Sequence, residues 1–260
     1  LSFIFGMLPY VLYGGEFSLI NSIFESVSGY TTTGFTVVGD VEALPKSLLF
    51  WRSSTHFIGG LGVIVFLLLV LPDASPFRLR MTNLELSSLS REGYRYRSSR
   101  TVWIISLVYL SIVIVETLLL WAAGMSLFDA INHAFSTVAT GGFSTRNASI
   151  GYYDSRLIEL IVMFFMTISA IHFGAVFTFF TTGSFKVFRN PVIIFYLLTL
   201  LTGTLLSGAD LFARGTYPTL WKSLWEGAFH TISFITTTGF SIADPYKWPM
   251  FEIGRASCRE

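Results

Sequence analysis

Three short strips set hydroxyl side chains, glycine and unencumbered main-chain carbonyls side by side. They are Tyr30-Thr31-Thr32-Thr33-Gly34-Phe35, Val138-Ala139-Thr140-Gly141-Gly142-Phe143 and Ile235-Thr236-Thr237-Thr238-Gly239-Phe240. The chemistry open to such strips is ligation of a dehydrated cation, whose water shell is replaced by oxygens at fixed positions, mostly backbone carbonyls. Threonine suits the task because its stiff side chain favours extended backbone. Glycine allows a φ that other residues avoid, so successive carbonyls can be aligned.

The expected ligating residues are therefore Thr32, Thr33, Gly34 and Phe35, then Thr140, Gly141, Gly142 and Phe143, and finally Thr237, Thr238, Gly239 and Phe240. Asp40 and Asp244, just beyond two of the strips, would raise cation concentration at the mouth. A single strip of this type is an ordinary loop turn. The argument rests on three of them in one register: offsets of 108 and 205 from Gly34 superpose Gly142 and Gly239 without gaps. The same offsets align Leu19, Leu127 and Leu224, then Ser28, Ser136 and Ser233, and place Glu25 opposite His133 and His230.

Each strip follows an apolar segment too short to cross a bilayer: Ser18–Ser28, Leu127–Val138 and Leu220–Phe234. At about 1.5 Å per residue these reach roughly halfway through a ~30 Å hydrocarbon core. They read as re-entrant half-helices that aim a partial negative charge from their C-termini at the strips. Irregular backbone at that depth survives only when buried in protein or lining a watery cavity. Longer apolar segments over Ser47–Leu71, Val102–Ala123, Leu157–Phe180 and Pro191–Leu206 read as spanning helices, and Leu1–Tyr13 as the end of another. The order of spanning helix, half-helix, strip and spanning helix predicts an all-α membrane protein of parallel helix–pore-loop–helix repeats around a central pore. Its expected divisions are repeat 1 over 1–71, a basic connection over 72–100, repeat 2 over 101–180 and repeat 3 over 181–252.

Composition agrees. The chain has 260 residues, 52% hydrophobic and 13% charged, with mean hydropathy +0.63. Soluble domains carry about 25% charged residues. A net charge of +1 argues against a nucleic-acid partner, and one cysteine, Cys258, allows no disulfide framework within the chain. Arg78, Arg80, Arg91, Arg95, Arg97 and Arg100 crowd one connection, and Lys186 and Arg189 the next on that side. That bias puts these loops in the cytoplasm, in contact with anionic lipid, and has the half-helices enter from outside. The opening at Leu1 within an apolar stretch suggests a fragment, and the polar tail 253–260 a non-native end without function.

The remaining polar residues suggest support instead of catalysis. His56, His133, His172 and His230 lack the paired spacing of a zinc or protease site. An intramembrane hydrolase would need a facing nucleophile and base, which the sequence does not offer; no enzyme and no bound cofactor are expected. Glu25 and Glu116 lie in apolar stretches, where ionisable residues point to function. For Glu25 the expectation is a hydrogen-bonded role behind the strip. Gly59-Gly60-Leu61-Gly62 reads as close helix packing.

The motifs Ser28-Gly29-Tyr30-Thr31-Thr32-Thr33-Gly34-Phe35, Trp51-Arg52-Ser53, Gly59-Gly60-Leu61-Gly62, Phe135 to Ser144 and Ile235 to Ser241 carry a resemblance. Over nearly all of residues 1–252 the chain resembles the Trk/Ktr/HKT superfamily of potassium uptake proteins, most closely its bacterial TrkH-like branch. The resemblance implies four repeats in one chain around a pore in the bacterial cytoplasmic (inner) membrane. It also implies a homodimer and a cytosolic nucleotide-binding regulatory subunit of the TrkA/KtrA kind. K+ would be the transported ion, since Gly34 stands where sodium-favouring plant relatives carry serine; a Na+-coupled or Na+-conducting relative is the alternative. The family's fourth repeat and the second helix of repeat 3 have no counterpart here, so conduction would belong to the intact parent. If so, the parent gene should encode a fourth glycine-centred strip about 90–120 residues after Gly239, by the spacing of the other three. Sequencing the complete gene checks this.

Overall fold

The computed structural model describes residues 2–70, 98–171 and 189–243, with backbone alone for 63–70 and 98–102. Among the described residues every regular element is helical. In chain order they are α1 (Ser2–Tyr13), α2 (Leu19–Tyr30), α3 (Lys46–Val70), α4 (Ser98–Ala122), α5 (Leu127–Val138), α6 (Arg156–Ser169), α7 (Pro191–Ala213) and α8 (Leu220–Ile235). Short 3₁₀ turns sit at Val41–Ala43 and Ser149–Tyr153.

The half-length helices α2, α5 and α8 start in the same way. Ser18, Ser126 and Thr219 each accept, through the side-chain oxygen, the N–H three residues on, from Asn21, Asp129 and Lys222. An N-cap of this kind satisfies one of the donors a helix start leaves unpaired. In α5 the third residue is acidic, and Ser126 also donates to Asp129 Oδ2 at 2.9 Å, so side chain and helix end lock together. α7 opens differently, on Asn190 with Pro191 in the first turn, where a missing N–H costs nothing.

Each half-helix packs against the helix before it: α1 on α2, α4 on α5, α7 on α8. The helix that follows closes the unit and reaches the next one. α3 lies on α2 and also on α4 and α5; α6 lies on α5 and α4 and also on α8. Close approach depends on small residues, as in bilayer-embedded bundles generally. A Cβ on Gly59 would collide with the Tyr30 carbonyl, and one on Gly29 with the Thr55 hydroxyl. On Gly60 it would come within 2.8 Å of the Tyr109 hydroxyl, and on Gly227 within 2.9 Å of the Gly208 nitrogen. The Gly59-Gly60 pair is thus packing glycine, as expected, whereas a Cβ on Gly62 would meet no described atom within 4 Å.

The main apolar core lies between α4, α5, α6 and α8, around Tyr109, Leu120, Ala134, Val162, Met166 and Phe229. Outward faces stay apolar: Leu12 is 84% exposed and Phe195 72%. Two described stretches, Trp103–Ala122 and Pro191–Ala213, are long and apolar enough to cross a membrane.

Two boundaries differ from expectation. α6 stops at Ser169, where the Ile171 N–H closes a tight turn on the Ile168 carbonyl, so Leu157–Phe180 is not one continuous helix. In the third unit α7 runs to Ala213, beyond Leu206; α8 begins at Leu220, as its apolar run does, which is one turn before the position the strip register assigns. The Arg-rich connection up to Arg97, Lys186, His172, Asp244 and the tail 253–260 lie outside the described residues, as does the Arg100 side chain.

The glycine geometry gives a contrast to test. Gly59→Ala should destabilise the full-length protein by about 1–3 kcal/mol, the usual cost of overpacking. Gly62→Ala should be neutral or stabilising by up to ~1 kcal/mol, since alanine is the better helix former. The temperature at which each variant loses its monodisperse peak in detergent reports the difference.

Candidate cation site

The three half-helices end identically. Thr33, Gly141 and Thr238 donate their N–H groups back to Ser28, Ser136 and Ser233 carbonyls at 2.8–2.9 Å. The preceding residues Thr32, Thr140 and Thr237 donate to Gly29, Thr137 and Phe234. This is a Schellman turn, whose pivotal residue is left-handed and usually glycine. Here the pivot is threonine each time, with φ of 53°, 53° and 59° at Thr32, Thr140 and Thr237. A β-branched residue in that region is an outlier that costs about 1–3 kcal/mol, and such strain collects at functional positions.

Two residues on, Gly34, Gly142 and Gly239 are again left-handed, at φ 80°, 77° and 82°. Each strip therefore alternates handedness in the same places. The glycines also bring neighbouring strips together. A Cβ on Gly34 would collide with the Gly141 carbonyl oxygen, and a Cβ on Gly142 with the Thr238 carbonyl oxygen. Strip 1 thus lies on strip 2, and strip 2 on strip 3, through equivalent atoms.

Hydrogen bonds anchor both ends. Ser28 Oγ donates to the Phe35 carbonyl at 2.6 Å, and Ser233 Oγ to the Phe240 carbonyl at 2.7 Å. Beyond the glycines, Thr36 Oγ1 donates to Glu25 Oε1 at 2.8 Å. In the second unit His133 Nδ1 lies 2.8 Å from the Asp129 carbonyl, which can only accept, so Nδ1 carries the proton. Nε2 is then the acceptor for Ser144 Oγ at 2.8 Å. Glu25 and His133, so unlike in type, both present an acceptor to the hydroxyl two residues past the glycine. Glu25 is buried as expected and is neutralised by Arg52, whose Nε and one terminal nitrogen lie 2.8 Å from Oε1. His230 bonds the Glu226 carbonyl through Nδ1 at 3.1 Å.

The strip exits are clasped in sequence. Asn147 accepts from Val41 N–H at 2.8 Å and donates to Asp40 Oδ1 at 2.7 Å; Gly151 N–H donates to the Ser241 carbonyl at 3.1 Å. Arg146 pairs with Asp129 at 3.0 Å. Asp40 is exposed, and the hydrogen bond from Asn147 holds its carboxyl below the usual range, so it is charged at neutral pH. Glu116 is fully buried on α4 beside Thr137, behind the second half-helix.

The geometry thus brings together the residues singled out in the three strips. It adds supports that spacing alone missed, Arg52, Asp129, Arg146 and Asn147, and gives His56, expected as polar support, its place against strip 2. Arg52 and His56 are one helical turn apart on α3 and bracket the polar run Arg52-Ser53-Ser54-Thr55-His56 in a largely apolar helix, and that run was the available signal. For the residues between strip 2 and its exit, turn composition gives none.

The family model for TrkH, described as a cation transport protein, matches residues 6–199. The Trk system potassium uptake protein TrkH of Halomonas elongata is 36% identical over 249 residues, covering 95% of this chain and 52% of that protein. TrkH of Escherichia coli K12 is 33% identical over the same length, and TrkG of that strain 36% over 242 residues, covering 91% of this chain and 49% of TrkG. The crystal structure of the potassium transporter TrkH from Vibrio parahaemolyticus superposes with a TM-score of 0.83 at 33% identity, over 97% of this chain and 52% of that one. The chain spans about half the length of the relatives it matches. On the extent of these matches, it belongs to the TrkH family of cation transport proteins.

Proposed function

We propose that the protein of which this chain is part takes up K+ across the bacterial cytoplasmic membrane, through a filter built from the carbonyls of Thr32–Phe35, Thr140–Phe143 and Thr237–Phe240. The observation that carries this reading is the repeated backbone: left-handed threonine and glycine at matching places, with each glycine against the carbonyl of the next strip. Neighbouring strips that meet through equivalent atoms define an arc about one axis. Alternating handedness turns successive carbonyls toward the same side, where a dehydrated ion can replace its water with them. The relatives named as potassium uptake proteins support K+ as the ion.

Phe143 and Phe240 are 2% and 1% exposed, whereas Phe35 is 60% exposed, and a Cβ on Gly239 would meet no described atom. Phe35 and Gly239 are therefore the two flanks of the arc. A fourth unit of the kind the family resemblance implies would seat between them and close the ring. The parallel repeat boundaries (1–71, 101–180, 181–252), a homodimer and a TrkA-like cytosolic partner belong to the same proposal. So does a purely transporting, non-enzymatic role.

In the full-length protein, Gly34→Ser should admit Na+, read as Na+ inhibition of Rb+ uptake in potassium-uptake-deficient cells. Unchanged discrimination overturns the filter reading. Asp40→Asn should raise the KM for Rb+ at low ionic strength and leave it unaltered at ~1 M salt, where the screening length is about 3 Å. Because the Asp40 carboxyl is held low, its contribution should persist as pH falls from 7 toward the ordinary carboxylate range and disappear only below it. A KM titration against pH in both variants checks the sign.

A further inference from the structure

Strips 1 and 3 share a device that strip 2 lacks. In strip 1 the Thr31 and Thr33 hydroxyls bond each other at 2.7 Å, straddling the left-handed Thr32, and Thr31 Oγ1 also donates to the Val27 carbonyl at 2.7 Å. In strip 3 the Thr236 and Thr238 hydroxyls do the same at 2.8 Å around Thr237, with Thr236 Oγ1 on the Ile232 carbonyl. Each clasp ties the strained turn to its own half-helix. In strip 2 the corresponding residues are Ala139 and Gly141, which have no hydroxyl to offer.

The space is taken by a side chain from another unit. His56 of α3 is fully buried, and a Cβ on Gly141 would collide with its ring. Its Nδ1 lies 2.8 Å from Ser136 Oγ on the half-helix, and its ring stacks on Phe143 with centroids 4.1 Å apart and planes at 16°. The Arg52 guanidinium also lies over the Phe143 ring, 4.2 Å from its centroid. His56 therefore touches the second strip before, within and after its turn.

We propose that His56 is the positioning residue of the second strip, replacing from the neighbouring helix the intrastrip threonine clasp that holds strips 1 and 3. Gly141 is glycine because the imidazole occupies the room a threonine side chain would need. The inference rests on the filter reading above and deepens it: the ion selectivity of strip 2 depends on a residue of α3.

The test uses the full-length protein in potassium-uptake-deficient cells, scoring K+ over Na+ preference in Rb+ uptake and detergent monodispersity. His56→Ala should lower the preference about tenfold, the order expected from losing one hydrogen bond and one aromatic stack. Gly141→Thr alone should be defective by collision, and adding Ala139→Thr and His56→Ala should restore preference by rebuilding the clasp. The matched triple with Ala139→Val and Gly141→Val fills the same space without hydroxyls and should not restore it. Equal rescue by the valine and threonine triples would overturn the proposal, as would wild-type preference in His56→Ala. If His56→Ala alone does not accumulate, the two triples decide on the same terms: rescue by the threonine triple only supports the proposal, and failure of both overturns it. Gly34→Ser separates the levels. Should it admit Na+ while His56→Ala changes nothing, the filter reading stands and only the role of His56 falls.

Discussion

Three half-length helices in this protein stop at equivalent places and hand the chain to an irregular strip, and the manner of stopping governs everything around them. A helix end leaves carbonyls without intrahelical partners, and something beyond the helix must take them. The reverse turn at Thr32, Thr140 and Thr237 resolves this by sending the next N–H groups back onto the last helical carbonyls. Carbonyls of the helix end are thereby satisfied, while those of the strip beyond are released from any ladder. The local strain of a left-handed threonine is offset by anchors: serine hydroxyls on the far ends of strips 1 and 3, threonine clasps at their turns, and histidine at the turn of strip 2.

Helix α3 emerges as the member that couples two strips. From one turn of helix it sends Arg52 to Glu25 and Thr36 behind strip 1, and His56 to Ser136 behind strip 2. The Arg52–Glu25 pair is almost wholly buried. Such a pair adds little net stability over an apolar substitute, yet removal of one partner alone costs about 3–5 kcal/mol by stranding the other charge. Its value here is geometric. Both carboxylate oxygens are occupied, by Arg52 and Thr36 on one and the Val37 N–H on the other, and this fixes where the strip leaves the turn.

Much of this was legible in the residues. Apolar run lengths located α2, α5 and α8 to within two residues, α8's start included, because a half-length stretch bounded by Ser or Thr and by Gly-Phe admits few readings. The glycine anchors aligned the strips correctly, since a left-handed glycine repeated at one offset marks a shared backbone. What remained hidden had physical reasons. Propensity argues against a β-branched residue at positive φ, so the pivot threonines could not be identified from type. The ion pair joins residues 27 apart, and the His56–Ser136 bond residues 80 apart; neither distance leaves a local pattern. The end of α6 at Ser169 falls inside a long apolar stretch whose few polar residues, Thr167, Ser169 and His172 among them, do not by themselves mark a helix end.

The extra turn at the start of α8 has a geometric result of its own. Four added residues raise that wall by about 6 Å over the other two. The three starts of the short helices are consequently not level, even though the turns at their far ends are built from matching parts.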